Sequence, residues 1–74
     1  MTKSRQPKLL DLVAVLNSPD ADNVEVGDVG TIVEILPPDG VEVEFLDRTG
    51  RTTCVATFSV EDVLVLNRQR TPVG

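Results

Sequence analysis

Hydrophobic and polar positions alternate most cleanly between Gly40 and Phe45. Val41, Val43 and Phe45 fall on one parity, Glu42 and Glu44 on the other. A period of two is the mark of a strand with one buried face. Just before it, Ile32 to Leu36 is apolar except for Glu34, and Pro37-Pro38-Asp39-Gly40 separates the two runs. Proline presets φ at the second turn position, and glycine takes a positive φ without steric cost. Gly27 to Phe45 is therefore expected to form one β-hairpin, with Gly40 as the left-handed residue of its turn.

The rest of the chain is punctuated in the same way. Leu9 to Leu16, LLDLVAVL, is short and rich in valine, which predicts the first strand. Both of its parities are apolar; Val13 and Val15 are expected inward, with Leu12 and Ala14 outward. Asn17 to Val26 carries Pro19, Ser18 and several acids or amides and reads as a loop. Its Asp20 and Asp22 begin the alternation of a calcium loop, but Val24 breaks the pattern and no glutamate closes it, so no metal is expected. Gly27 and Gly30 suggest a bulge or bend at the start of the long strand. Leu46 to Arg51 is a second tight turn, opened by Asp47, with Gly50 left-handed. Thr52 to Phe58 alternates again, with Cys54, Ala56 and Phe58 expected inside. Ser59 followed by Asp62 predicts a single capped helical turn, and Val63 to Leu66 a last strand. Residues 1–8 and 68–74 are polar and are expected to fray, leaving 9–67 as the domain. Five short strands, two tight hairpins and one helical turn before the last strand predict an all-β fold, a small SH3-like five-stranded barrel. An OB-fold is excluded, because it needs a real helix between its third and fourth strands.

Size and composition narrow the function. Seventy-four residues make one domain with a thin core and little room for an enclosed cleft. A lone cysteine, Cys54, allows no internal disulfide, and a secreted domain this small would usually hold several. No apolar run is long enough for a membrane span, and no signal-peptide core follows the basic start. A cytoplasmic location is expected. There is no histidine to activate Cys54, no metal-ligand cluster and no glycine-rich phosphate motif. Glu42 and Glu44 lie about 7 Å apart on one strand face, but both are expected to be exposed, which leaves acid–base chemistry unsupported. The chain is therefore not expected to be an enzyme or to hold a cofactor.

The formal charge of −5 hides an asymmetry. All twelve carboxylates fall between Asp11 and Asp62, where the only cations are Arg48 and Arg51, a net of −10. The tails hold the other five basic residues. Such a body repels phosphate backbones and suits a basic protein partner, although the same charge also serves solubility. The two phenylalanines are the only aromatics, so neither a base-stacking platform nor an aromatic-lined proline groove is expected.

Two resemblances rest on these stretches. Gly27 to Glu44, with Gly-x-x-Gly, a Val/Ile run, a turn and Val-Glu-Val-Glu, resembles a KOW motif, the SH3-like element of ribosomal proteins and elongation factors. KLLDLVAVL, GDVGTIVEIL, VEVEFLDRTGRT and the late VEDVLVL, spanning Lys8 to Leu66, are similar to the small bacterial family known as domain of unknown function 4926. This second resemblance implies a compact bacterial domain without catalytic residues. Members of such families often sit beside toxin genes, which implies an immunity or antitoxin-like role with a toxin-like partner.

The leading expectation is thus a non-catalytic protein-binding module: an accessory, inhibitor or antitoxin-like protein with an acidic face. Barrel inhibitors of nucleases present carboxylates where phosphates would lie, which singles out Glu34, Glu42, Glu44 and Asp47. Surplus apolar groups on the first and last strands add Leu12 and Ala14 as an outer patch. That patch is expected to serve an interface, a homodimer or a heterologous partner, unless the loop Asn17 to Val26 folds over it. The alternative is a KOW-like RNA-binding module using Arg48 and Arg51.

Overall fold

A computed structural model describes residues 6–18 and 24–66. The expected Asp20–Asp22 loop and most of both tails lie outside them. The described residues form five strands and one short helical turn: β1 Leu12–Val15, β2 Val29–Leu36, β3 Gly40–Leu46, β4 Thr52–Ser59, a 3-10 turn at Val60–Asp62, and β5 Val63–Val65. All pairings are antiparallel, in the order β4-β3-β2-β1-β5. The architecture is all-β. β4 and β5 are the two edges and do not pair with each other among the described residues, so the expected closure into a barrel is not seen.

One core occupies one side of this sheet. Val13 and Val15 from β1, Ile32 from β2, Val41, Val43 and Phe45 from β3, Phe58 from β4 and Val63 from β5 form a single buried cluster. Phe58 and Val63 stand on opposite edge strands, about 19 Å apart if the sheet were flat. Their membership in one cluster requires the sheet to curl around it. Phe45 and Phe58 meet edge to face, with ring centroids 6.1 Å apart, a preferred aromatic geometry. Cys54 and Ala56 pack against this core from β4.

The inward parity of β1 is as expected: Val13 and Val15 are buried, Leu12 and Ala14 only partly so. The strand is shorter than its apolar run, however. Leu9 and Leu10 form a turn in which Leu10 has φ +71°. The Asp11 carboxylate accepts from the Lys8 N–H at 2.9 Å, and the Asp11 N–H returns to the Lys8 carbonyl at 3.0 Å. This closed turn stops the ladder from extending back to Leu9.

The hairpin turn also differs from expectation. Leu36 pairs with Gly40, so the loop is Pro37-Pro38-Asp39, with a cis bond between the prolines. Gly40 begins β3 and is not among the residues with positive φ; Gly50, at φ +90°, is. The bend in β2 falls at Val33, where the register with β3 shifts between Ile32 and Glu34. Gly30 has a different reason to be glycine. A Cβ there would lie 2.7 Å from the Glu44 carbonyl and 2.6 Å from a Val43 methyl.

The loop before β2 contributes Val24, which is buried in the core. The Ser18 hydroxyl donates to its carbonyl at 3.0 Å. This described part of the loop turns inward, beneath the sheet. At the other end, the Ser59 hydroxyl caps the helical turn by accepting from the Glu61 N–H. That turn brings the chain back to pair β5 with β1.

Candidate protein-binding face

The strand register places five of the six candidate residues on the outer face. Leu12 stands opposite Thr31, Thr31 opposite Glu44, and Glu44 opposite Val55. These four side chains form a row across β1, β2, β3 and β4. Beside it, Ala14 lies between Val29 of β2 and Leu64 of β5. Further along the hairpin, Glu34 stands opposite Glu42, which stands opposite Thr57. The bulge at Val33 sets this pairing: without the shift, Glu34 would fall on the core parity.

The result is a face with two chemistries. Its β1–β5 side is apolar, since Val29 and Leu64 are 50% and 51% exposed beside the small Ala14. Leu16 and Leu64 extend this stripe around a hollow of about 230 Å³ next to the helical turn, lined also by Pro7, Val60, Glu61, Val63 and Val65. Its β3 side is acidic. Directly opposed residues in an antiparallel pair have Cβ atoms roughly 5 Å apart, so Glu34 and Glu42 hold two negative charges close together. Glu44 lies two residues along and accepts a hydrogen bond from the Thr52 hydroxyl.

Asp47 is in a different situation. Its Oδ1 accepts from the Thr49 hydroxyl at 2.7 Å, the Thr49 N–H at 2.8 Å and the Arg51 N–H at 3.1 Å. The Thr49 hydroxyl bond, then the Arg51 amide, hold its carboxyl below the usual aspartate value. This carboxylate builds the β3–β4 turn and is not part of the outer row. Arg48 and Arg51, the candidates for RNA, are exposed on the same turn. Both phenylalanines are buried and offer no ring to a base.

Sequence patterning assigned no face to Val29 or Leu46, both exposed, whereas the exposed Val55 lies on the outward parity expected for Thr52 to Phe58. Neither Val29 nor Leu46 lies in a clean alternation, since Val29 stands between Asp28 and Gly30 and Leu46 directly follows Phe45, so only the register between strands gives them a face.

These features define a class: a small, curled antiparallel sheet with a single core and an outer face divided between carboxylates and exposed aliphatic groups. Among the described residues no helix is long and apolar enough to cross a membrane. The chain belongs to the family described as Domain of unknown function (DUF4926), whose family model matches residues 9–65. No curated protein and no solved structure shows a significant match.

Proposed function

We propose that this protein is a non-catalytic binding module whose curled sheet is an SH3-like barrel left open on one side. Its outer face takes a basic protein partner. The observation that carries the reading is the juxtaposition of Glu34, Glu42 and Glu44 with the aliphatic stripe through Leu12, Ala14 and Leu64. Protein interfaces commonly combine an apolar centre with a charged rim that sets partner choice and association rate. An accessory, inhibitor or antitoxin-like role for a cytoplasmic bacterial protein fits such a face, because a basic partner is what these carboxylates select.

The test is capture from the native cell extract with the tagged chain. The wild type is compared with Leu12→Glu, with Leu64→Glu and with the Glu42→Gln/Glu44→Gln double variant. A basic protein retained by the wild type and lost with these variants, at matching thermal melts, is the expected outcome. Leu64→Glu is the control for folding, because Leu64 is exposed whereas Leu12 is partly buried. Retention that all the variants leave unchanged would remove this face as the binding surface.

A further inference from the structure

The free edge of β4 is the least guarded part of the sheet. The Val60 N–H donates to the Asp39 carbonyl at 2.8 Å, and the register then holds without a shift from Gly40–Ser59 to Phe45–Cys54. Hydrogen-bonded pairs alternate in an antiparallel ladder. Phe58, Ala56 and Cys54 therefore bond to β3, while Ser59, Thr57 and Val55 point their N–H and C=O groups away from it. No strand lies beyond β4 among the described residues. Such an edge is a template for another strand, and proteins ordinarily blunt it with charge, proline or short length. The other edge, β5, is only 3 residues long. β4 runs for 8 residues, TTCVATFS, with neither charge nor proline and with four β-branched side chains.

Two observations define what the edge accepts. On the outer side, Val55 and Thr57 stand between that edge and Glu44 and Glu42. A strand added there would lie two spacings, about 9.6 Å, from β3. Lysine or arginine stems on it would lie over Val55 and Thr57 and bring their charged heads to the two carboxylates. On the core side, Cys54 and Ala56 pack against the core yet remain only half-buried, which leaves contact surface for small apolar side chains. We propose that the partner docks by adding an extended segment of alternating basic and small apolar residues to the β4 edge. This deepens the protein-binding reading and rests on it. A second copy is the poorer occupant, because β4 itself offers the carboxylates no cation.

The probe is a short synthetic peptide of alternating lysine and valine, with a glutamate–valine peptide as control. Each is titrated into the isotope-labelled full chain and followed by amide shifts and hydrogen exchange. The lysine peptide is expected to shift the Val55, Thr57 and Ser59 amides and slow their exchange about tenfold or more. Its affinity should fall as salt rises to about 0.15 M. Val55→Lys, at an exposed position, and Glu42→Gln/Glu44→Gln should each weaken it about tenfold or more with the melt unchanged. Shifts confined to Leu12, Ala14 and Leu64 would overturn strand addition while keeping the outer face as the binding surface. Equal binding of the glutamate peptide, or none of the lysine peptide, would overturn it too. Concentration-dependent protection of the same amides without peptide would make a second copy the occupant instead.

Discussion

At the scale of single residues, the structure rests on positions where only one side chain fits the backbone or the charge. Gly30 is required by the Glu44 carbonyl and the Val43 and Phe45 side chains that press against it. Leu10 is the opposite case. A leucine at φ +71° carries a steric cost of about 1–2 kcal/mol, and it is held by the Lys8–Asp11 turn and by its own N–H, which donates to Ile32 at 2.8 Å. Asp47 ties a residue to pH. Its carboxylate is stabilised in the folded turn, so its pKa lies below the usual 3.8. The turn's contribution is therefore complete above that value and is lost as pH falls through the lower, folded pKa. An NMR titration should place the Asp47 midpoint below 3.8. Asp47→Ala should lower the melting temperature near neutral pH and flatten its fall in acid. A midpoint at or above the ordinary value would mean that the Thr49 and Arg51 bonds are not kept in solution.

At the scale of elements, β2 and β3 carry a conflict between stability and the proposed binding. Glu34 and Glu42 face each other across the hairpin, and like charges directly opposite destabilise a sheet. Glu42→Thr removes one charge and adds a β-branched group beside Thr57. It should raise the urea midpoint, by about 0.5 kcal/mol in stability, while weakening any basic partner. A midpoint that stays the same or falls would show that the two carboxylates splay apart without cost. The Val33 bulge is what creates this opposition. It also explains why Ile35, although paired with the buried Val41, is 40% exposed: beyond the bulge, β2 leaves the core.

At the scale of the whole molecule, charge and core bear on the class of partner proposed above. The net of −10 between Asp11 and Asp62 surrounds a core that consumes both aromatic rings. Nucleic-acid affinity comes mainly from cation–phosphate attraction and base stacking, and this fold provides little of either. A mobility-shift assay with single-stranded RNA at about 0.15 M salt should show no complex. Micromolar binding lost on replacing Arg48 and Arg51 would instead favour the RNA-binding alternative.

Much of this was legible from the chain alone. Alternation in Val41 to Phe45 and in Thr52 to Phe58 determined which side chains enter the core, because a strand's side chains change face at every residue. Asp47 and Gly50 determined a tight turn through local hydrogen bonding and a left-handed backbone, and Ser59 a cap, all interactions within a few residues. What only the tertiary structure decided depends on partners distant in sequence. Leu9 to Leu16 reads as one strand, but the Lys8–Asp11 turn and the bond to Ile32 end it at Leu12. Val24 sits in a polar stretch and enters the core only because the chain leading into β2 turns it toward the buried side of the curled sheet. The bend of β2 belongs to the register with β3 at Val33, and Gly30 answers to the close approach of that same strand. The acidic and aliphatic halves of the outer face likewise exist only once five strands are set side by side, since parity assigns a side chain to a face but only register gives it neighbours.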